Sequence, residues 1–253
     1  MPTIEMDYGD LQSLIGIDLP KNVEEFDEIL SYVKSEVKLL NEQEIHVEIG
    51  DTNRPDLWNV EGLARALRGF LKIETGLREY AIAASSGVEV RVDPRLEYIR
   101  PYIACAVVKN PKLSDAAIRG IMQFQDKLDQ TYGRRRRRAS IGLYDLSLVT
   151  PPLRYGVAKP REISFAPLGF EEKMTLEDIL KRHPKGLEYG HLVRRHTDWP
   201  IFMDSEDRVL SFPPIINSND LGRVTEETSD VLIEVTGTSH ETVLNTLTAV
   251  ALS

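Results

Sequence analysis

A carboxylate inside an apolar strand is the residue of this sequence best suited to chemistry. The run D-V-L-I-E-V-T-G-T alternates with period two, which places Glu234 on one strand face with Leu232 and Thr236. A carboxylate among valine and isoleucine must be solvated, paired or kept to bind something. The pattern leaves two interpretations open: a ligand-binding carboxylate, or a solvent-facing glutamate on an edge hairpin.

A second apolar run, V-L-S-F-P-P-I-I-N, precedes this strand and contains a hydroxyl group, Ser211. Proline cannot donate to a sheet ladder, so this run leaves the sheet after Phe212 and returns with Asn217. Gly237, which ends the later strand, permits a turn or the close approach of another backbone. We expect Ser211 on the partner run of the Glu234 strand, so that both residues converge on one cleft with Thr236.

Neither run contains a histidine or a cysteine, so the sequence shows no nucleophilic triad. His183, His191 and His196 have a spacing that matches no zinc signature. Cys105, the one cysteine, lies in the apolar run I-A-C-A-V-V and is interpreted as a buried small residue. We therefore expect surface histidines and no metal site.

Gln125 is a polar residue on an otherwise apolar helical stripe. Ser114 is the predicted cap of this helix. The inward positions are Ile118, Ile121, Met122 and Leu128. A glutamine among core positions must find partners in the backbone or in a ligand, so Gln125 is either a pocket residue or a satisfied core amide.

Arg134–Arg138 is a run of five consecutive arginines. Such a run usually forms a solvated loop and often contacts phosphate. It leads into the predicted strand Ala139–Leu146, where alternation sends neighbouring side chains in opposite directions. We expect Arg137 to point toward a pocket. The residues expected to contact RNA are Arg134, Arg135 and Arg136.

Charge is unevenly distributed along the chain. The net charge is −9, and residues 1–80 hold 8 Lys and Arg against 17 Asp and Glu, whereas the remainder holds 23 of each. Any nucleic-acid surface therefore belongs to the remainder. In the acidic part, Arg54 lies in a T-N-R-P-D turn, where it either contacts RNA or pairs with Asp51 or Asp56.

Length and element order predict two domains of mixed α/β (α+β) class. The 253 residues with 42% apolar content allow ordinary cores. Residues 1–85 are expected to form a small α+β domain, and residues 86–253 a larger sheet-based domain with flanking helices. No apolar stretch approaches the length of a membrane span and no secretory signal is visible, so we expect a cytoplasmic protein without a membrane partner.

Several strings together resemble the β-subunit of archaeal and eukaryotic-type phenylalanyl-tRNA synthetase. S-F-P-P-I-I-N and I-E-V-T-G-T look like its editing domain, and T-N-R-P-D-L with V-E-G-L-A-R resembles a segment near its start. The helix string Q-D-K-L-x-Q also matches. Where that family usually shows I-G-x-H-D-L, this sequence has I-G-L-Y-D-L, and Tyr144 in the histidine's place argues against essential histidine chemistry. Because the family's chain is much longer, we expect an N-terminal fragment.

The resemblance implies an editing domain over residues 86–253 that hydrolyses tyrosine wrongly esterified to phenylalanine tRNA. The catalytic residues would be Ser211 and Thr236, and Glu234 would accept the tyrosine phenol. The other substrate-binding positions are Asn217, Gln125, Phe202, Arg137 and Gly237. Hydrolysis by a positioned water needs no cofactor for editing in this fragment, whereas ATP and magnesium are expected for the whole synthetase.

The implied partners are phenylalanine tRNA and the synthetase α-subunit, in a heterotetramer. Two other functions stay open. One is a non-catalytic module that binds tRNA or a partner subunit, and the other is a free-standing trans-editing deacylase. A binding module would tolerate the loss of Glu234, whereas a deacylase would not.

Overall fold

Polar caps and alternating apolar residues define the elements of the first third of the chain. The computed structural model describes residues 2–253. Asn22 and Asn59 each begin a helix by accepting a backbone hydrogen bond at 2.8 Å, from Glu25 and Gly62 respectively. The elements are β1 (Thr3–Asp7), α1 (Tyr8–Ile15), α2 (Val23–Ser31), β2 (Ser35–Leu40), β3 (Glu44–Ile49) and α3 (Val60–Phe70).

These elements form an antiparallel sheet of order β1-β3-β2 with three helices. Alternate residues of β1 and β3 enter its core. The buried apolar residues include Ile4, Met6, Leu11, Phe26, Leu30, Ile45, Val47, Leu63 and Leu67. At the turn before α3, Arg54 donates two hydrogen bonds to the Asp56 carboxylate, at 2.8 and 2.7 Å. This confirms the expected pairing of Arg54 within its own turn.

The remaining elements are built mainly from short strands. Their bounds are β4 (Val90–Val92), β5 (Tyr102–Lys109), α4 (Asp115–Gln130), β6 (Ala139–Asp145), β7 (Leu153–Ala158), β8 (Ser164–Phe165), β9 (Met174–Thr175), α5 (Leu176–Arg182), α6 (Pro184–Tyr189), β10 (Trp199–Met203), β11 (Val209–Phe212), β12 (Ile216–Asn217), β13 (Asp230–Gly237) and α7 (His240–Ala251). Ser114 caps α4 by accepting from the Ala117 backbone (3.1 Å), as predicted. None of the helices within residues 2–253 has the length and apolar character needed to cross a membrane.

The described chain has two compact units. The first holds the residues up to Ala83 together with Ser114–Lys127 and Leu252–Ser253, and the second holds Ala84–Leu113 and Leu128–Ala251. The chain therefore changes unit at Ala83–Ala84. The part of α4 up to Lys127 groups with the first unit, although the sequence-based division placed it within residues 86–253.

Two sheets form the core of the second unit. One is the antiparallel sheet β5-β13-β6, and the other has the order β12-β11-β10-β7-β4, in which β4 and β7 are parallel. Tyr144 and Leu232 from the first sheet pack with Tyr155, Phe202 and Leu210 from the second. We call this packed region the inter-sheet layer, and it contains the face of β13 that carries Glu234.

The position of β13 corrects the expected hairpin. β13 pairs with β5 and β6 on its two sides, whereas β11, which carries Ser211, belongs to the other sheet. β13 is therefore a central strand and Glu234 is only 2% exposed, so the interpretation as a solvent-facing edge hairpin is wrong. The chain does leave β11 after Phe212 and return as β12, which sets Asn217 opposite Ser211, as predicted.

Candidate functional site

Glu234 is a buried carboxylate with one oxygen paired and one left over. Its Oε2 accepts a hydrogen bond from the Tyr144 phenol (2.8 Å). Its Oε1 is closed to solvent and has no hydrogen-bond partner among residues 2–253. A buried unsatisfied acceptor costs about 1–3 kcal/mol, and native proteins rarely retain one without a reason. Oε1 therefore has the capacity for one further hydrogen bond.

Gly142 makes room for the Glu234–Tyr144 pair. Glu234 lies between Gly142 on β6 and Cys105 on β5, directly opposite both. A Cβ atom at Gly142 would lie 2.6 Å from Glu234 Oε2 and closer still to the Tyr144 hydroxyl. Any side chain at position 142 would push the phenol away from the carboxylate, so the site requires glycine there for space.

Burial dominates the electrostatics of Glu234. Loss of solvent raises the pKa of its carboxyl group from 4.5 to about 7. The Tyr144 hydrogen bond, the Arg100 charge and the nearby Thr236 hydroxyl act in the opposite direction. Burial, followed by the Glu234 charge, raises the pKa of the Tyr144 phenol, which keeps that group a hydrogen-bond donor.

Arg100 joins β13 to the end of the arginine run, and it is only 3% exposed. Its Nε donates to Thr236 Oγ1 (2.9 Å), and its Nη2 donates to Ser140 Oγ (2.9 Å) and to the Thr236 carbonyl (2.5 Å). Its Nη1 donates to the carbonyl oxygens of Arg136 (3.0 Å) and Arg137 (3.3 Å). A guanidinium group has five N–H donors, and these contacts use all of them.

Thr236 is a positioning residue in this arrangement. It is fully buried, and its hydroxyl accepts from Arg100 and lies 3.3 Å from Ser140 Oγ. The Thr236 hydroxyl also lies near the Glu234 carboxyl group, where it favours the ionised form. The hydroxyl already has these protein partners, and its contact with the ester or the attacking water stays a prediction.

Ser211 and Phe202 reach the inter-sheet layer from the facing sheet. Ser211 Oγ is buried beside the Tyr144 phenol, without a well-formed hydrogen bond to any atom of residues 2–253. The Phe202 side chain is fully buried, and its ring centre lies 6.0 Å from that of Tyr144. Asn217, opposite Ser211, donates from Nδ2 to the Leu143 carbonyl (3.5 Å). The structure therefore brings Ser211 and Phe202 to Tyr144 and places Asn217 on the neighbouring strand.

The arginine run is a tight turn with its members in different environments. Arg134, Arg135 and Arg136 have φ angles of 53°, 54° and 62°, in the left-handed region. Arg134, Arg135, Arg137 and Arg138 are exposed, and Arg136 is buried. Contact of Arg134 and Arg135 with RNA stays a prediction.

Arg136 is a structural side chain, which corrects the expectation that it contacts RNA. Its Nε forms an ion pair with the buried Asp129 (2.8 Å), and its Nη1 donates to the Pro214 and Ile215 carbonyls at 3.2 and 2.9 Å. Its guanidinium also lies 4.3 Å from the centre of the Tyr189 ring. These contacts fasten the turn to the segment that follows β11, and Arg136 is only 8% exposed.

Gln125, Arg137 and Gly237 have separate surroundings. Gln125 is half-buried in the part of α4 that belongs to the first unit, and its pocket role stays a prediction. Arg137 is exposed, and its carbonyl accepts from Arg100 and from Thr238 Oγ1 (3.0 Å). A Cβ atom at Gly237 would collide with the Arg138 carbonyl, so this glycine permits the close approach of another backbone, as predicted, and its contact with the substrate stays a prediction.

His183 departs from the expectation of surface histidines. It is 4% exposed, and its Nδ1 accepts a hydrogen bond from the Lys185 backbone (3.1 Å) at the start of α6. Its role is therefore to cap a helix. His191 is exposed and His196 is half-buried.

A histidine and two carboxylates approach one another in the first unit. Glu5, Glu44 and His46 place three possible ligand atoms within 4.8 Å of one another. His46 Nε2 lies 2.9 Å from Glu44, and both carboxylates are largely open to solvent. This geometry is that of a surface ion pair, and we assign no metal to it.

Sequence patterns did not assign Tyr144, Gly142 or Arg100 to the site. One face of β6 carries Ser140, Gly142 and Tyr144. The period-two pattern of A-S-I-G-L-Y-D-L could therefore have indicated that a small residue lies next to a phenol. Arg100 has no such local signal, because its side-chain partners lie 36 to 136 residues away along the chain.

Curated proteins with similar sequences include several phenylalanine–tRNA ligase β-subunits, although no protein-family model matches the chain. The phenylalanine–tRNA ligase β-subunit of Pyrococcus furiosus is 45% identical over 241 residues, which cover 94% of this chain and 43% of that protein. The same subunit of Methanosarcina barkeri is 43% identical over 237 residues, covering 94% and 42% respectively. The chain therefore spans less than half the length of these curated relatives.

A solved structure shares both the fold and the sequence. It is an N-terminal fragment of the phenylalanyl-tRNA synthetase β-subunit from Pyrococcus horikoshii, with a TM-score of 0.92 and 42% identity. The match covers 99% of this chain and 73% of the fragment, which confirms the mixed α/β fold. The relatives, the shared fold and the two motifs around Ser211 and Glu234 agree: this chain belongs to the β-subunit family of phenylalanine–tRNA ligase and corresponds to its N-terminal region.

Proposed function

We propose that this chain hydrolyses the ester of tyrosine wrongly attached to phenylalanine tRNA. The observation that carries the proposal is the unpartnered Oε1 of Glu234, buried beside aromatic side chains. An apolar pocket built for one amino acid rejects an analogue with an added hydroxyl by only about a hundredfold. A ligase for phenylalanine therefore benefits from a second site that selects the hydroxyl, and family membership supports this substrate class.

Glu234 supplies the selectivity in this proposal. The phenol of a bound tyrosyl ester donates to Oε1, while Tyr144 occupies Oε2 and Thr236 holds the carboxylate in place. Phenylalanine has no donor and would leave Oε1 unpaired. A hydrogen bond to a charged group contributes roughly 1.5–3 kcal/mol, which corresponds to about ten- to a hundredfold in discrimination.

Ser211 is the candidate catalytic residue. Its buried hydroxyl has no hydrogen-bonded base among residues 2–253, so we assign it to orienting the ester and a water rather than to nucleophilic attack. An aminoacyl ester is already activated, and orientation of the reactants removes a large part of the remaining barrier. Water adds to the ester carbonyl, the bond to the ribose oxygen breaks, and tyrosine and free tRNA are released.

The activity of the longer protein is a further part of the proposal. By family, we assign it to a cytoplasmic synthetase that uses ATP and magnesium and pairs with an α-subunit in a heterotetramer. The tRNA for phenylalanine is then the common substrate of synthesis and editing. Reconstitution with the rest of the β-subunit and with the α-subunit tests this assembly directly.

Single-turnover deacylation of tyrosyl-tRNA and phenylalanyl-tRNA tests the editing proposal. In the reconstituted synthetase, the wild-type chain should clear the tyrosyl ester preferentially. Glu234→Ala should remove about ten- to a hundredfold of that preference. The control Glu227→Ala changes an exposed carboxylate just before β13 and should keep it. Ser211→Ala should slow the hydrolysis of both esters.

Two results would contradict this function in different ways. Selective clearance of the tyrosyl ester by Glu234→Ala at the wild-type rate would place the selective pocket elsewhere. Binding of tRNA by the wild-type protein without hydrolysis of either ester would indicate a non-catalytic binding module.

A further inference from the structure

A cleft on the second unit is lined by positive charge and by no carboxylate. Its volume is about 220 Å³. The polar side chains that line it are Arg100, Arg137, His191, Arg195 and Thr238, and the other lining residues are aliphatic or proline. The chain as a whole has 40 Asp and Glu residues and a net charge of −9. A cleft that excludes acidic side chains in so acidic a protein indicates an anionic ligand.

Arg137 and Arg195 are able to bind that anion directly, since both side chains are exposed. The hydrogen bonds of Arg137 with the rest of residues 2–253 are made by its backbone, since its N–H donates to the Arg134 carbonyl (3.3 Å) and its carbonyl accepts from Arg100 and Thr238, which leaves the guanidinium for a ligand. Arg195 donates from Nε to His196 Nε2 (3.0 Å), which orients its guanidinium. A guanidinium group binds phosphate through paired, charge-assisted hydrogen bonds, which makes arginine the preferred residue for such sites.

Arg100 contributes charge to the cleft without contributing a donor. Its five N–H groups are all given to protein acceptors, including both oxygens of Thr236. A ligand in the cleft therefore meets the positive field of Arg100, while its hydrogen bonds come from Arg137 and Arg195. Because Arg100 lines the cleft and also holds Thr236, a ligand bound there lies next to the strand that carries Glu234.

We propose that this cleft binds the sugar–phosphate backbone at a single-stranded RNA end. A cleft of this volume is too small for a double helix, and proteins that bind single strands combine a positive groove with flat side chains on which bases stack. The exposed His191 is such a side chain at this cleft. The choice of RNA rests on the proposed function, whereas the anion site rests on the arginines and the missing carboxylates.

Salt-dependent binding of RNA separates this cleft from the exposed arginine turn. A labelled short single-stranded RNA is titrated with the 253-residue chain over a series of KCl concentrations and followed by fluorescence anisotropy. Each lost phosphate contact lowers the slope of log K against log[KCl] by about 0.7 for single strands. Arg137→Ser with Arg195→Ser should therefore lower the slope by about 1.4. Arg134→Ser with Arg135→Ser removes the same charge outside the cleft and measures the contribution of the exposed turn on its own. The control is Lys109→Ser with Lys112→Ser, which removes two exposed positive charges of the second unit outside the cleft and should leave the slope at its wild-type value.

Two further arms keep the outcome specific. Arg137→Lys with Arg195→Lys retains the charge and should retain most of the slope. Thermal melts establish that each variant is folded. A duplex RNA without single-stranded ends should bind the wild-type chain more weakly than the single strand. Inorganic phosphate is the third probe, because a small-anion site would bind it without binding RNA.

Three results would overturn the inference. The first is a slope lost in the Arg134 and Arg135 variant and kept in the cleft variant. The second is equal binding of duplex and single strand, and the third is loss of phosphate binding in the cleft variant with an unchanged RNA slope. The RNA probe carries no ester, so its binding is measured independently of the deacylation assay. If the cleft binds this RNA but the protein does not hydrolyse tyrosyl-tRNA, only the proposed function is refuted. If the protein hydrolyses tyrosyl-tRNA but the cleft variant keeps the wild-type salt slope, only the cleft proposal is refuted.

Discussion

The Glu234 carboxyl group links the site to the stability of the protein. Its pKa is about 7 in the folded chain, against 4.5 for an ordinary glutamate. Between these two values the folded state binds a proton that the unfolded state has released. The contribution of this group to the free energy of unfolding is therefore fully present below pH 4.5, falls as the pH rises toward 7, and is constant above it.

Glu234→Gln should remove this pH dependence, because the amide does not ionise. Relative to the wild type, the variant should gain on the order of 3 kcal/mol of unfolding free energy between pH 4 and pH 8. Urea unfolding at both pH values measures the difference. The control Glu227→Gln changes an exposed carboxylate and should follow the wild type at both. Parallel behaviour of Glu234→Gln and the wild type would show that Glu234 titrates normally in the fold.

The residues around Glu234 were predictable only where their own strand indicated them. Glu234 and Ser211 follow from an unusual polar residue in an apolar run, and Asn217 follows from the proline stop after β11. Tyr144 and Arg100 act across strands, so their roles depend on which strands become neighbours. Period two gives the face of a side chain, but it does not give the residue opposite.

The arginine turn is the element that fastens the two site motifs together. Its buried member, Arg136, pairs with Asp129 at the end of α4 and binds the carbonyls of the segment after β11. Asp129 is 1% exposed, so the ion pair is shielded from solvent on both sides. Removing one partner of a buried ion pair leaves an uncompensated buried charge.

Arg136→Met should destabilise the second unit by about 3–5 kcal/mol, because Asp129 would lose its counter-ion. Arg135→Met is the matched control, since it changes an exposed neighbour in the same turn with the same left-handed φ. It should alter stability by no more than about 0.5 kcal/mol. Urea unfolding of both variants at one pH provides the comparison. Equal stability of the two variants would mean that Arg136 does not hold the turn.

Strand positions were predicted better than strand partners. The predicted strand Ala139–Leu146 is observed as β6, which begins at the same residue and ends one residue earlier. The expectation that β11 and β13 are paired strands was wrong. Closeness in sequence favours a hairpin, but β13 pairs with β5 instead. That pairing joins residues more than a hundred positions apart, and local patterns carry no information on it.

At the scale of the whole molecule, charge and fold agree on where the positively charged surface lies. The acidic first third contains Arg54 in a turn, and the structure pairs that arginine with Asp56 through two hydrogen bonds. The arginine run and the basic cleft both lie in the second unit. The uneven charge of the sequence thus predicted the location of the cationic surface, although it did not distinguish the cleft from the exposed turn.

Arg54→Ala should leave RNA binding unchanged. An exposed ion pair contributes at most about 1 kcal/mol to stability, so the variant should also melt close to the wild type. The salt slope of RNA binding and a thermal melt are the two measurements. A slope reduced by Arg54→Ala would place an RNA contact in the first unit and contradict the pairing as its main role.

The register of β13 has a practical consequence for Cys105. This residue lies directly opposite Glu234 on β5, it is half-buried, and burial raises the pKa of its thiol. Because thiolate is the reactive form, the raised pKa makes alkylation slow in the folded protein. The chain has no other cysteine, so the reaction has a single target. The alkylation rate therefore reports how closed the surroundings of Cys105 are to solvent. A ligand that fills the inter-sheet layer should lower this rate.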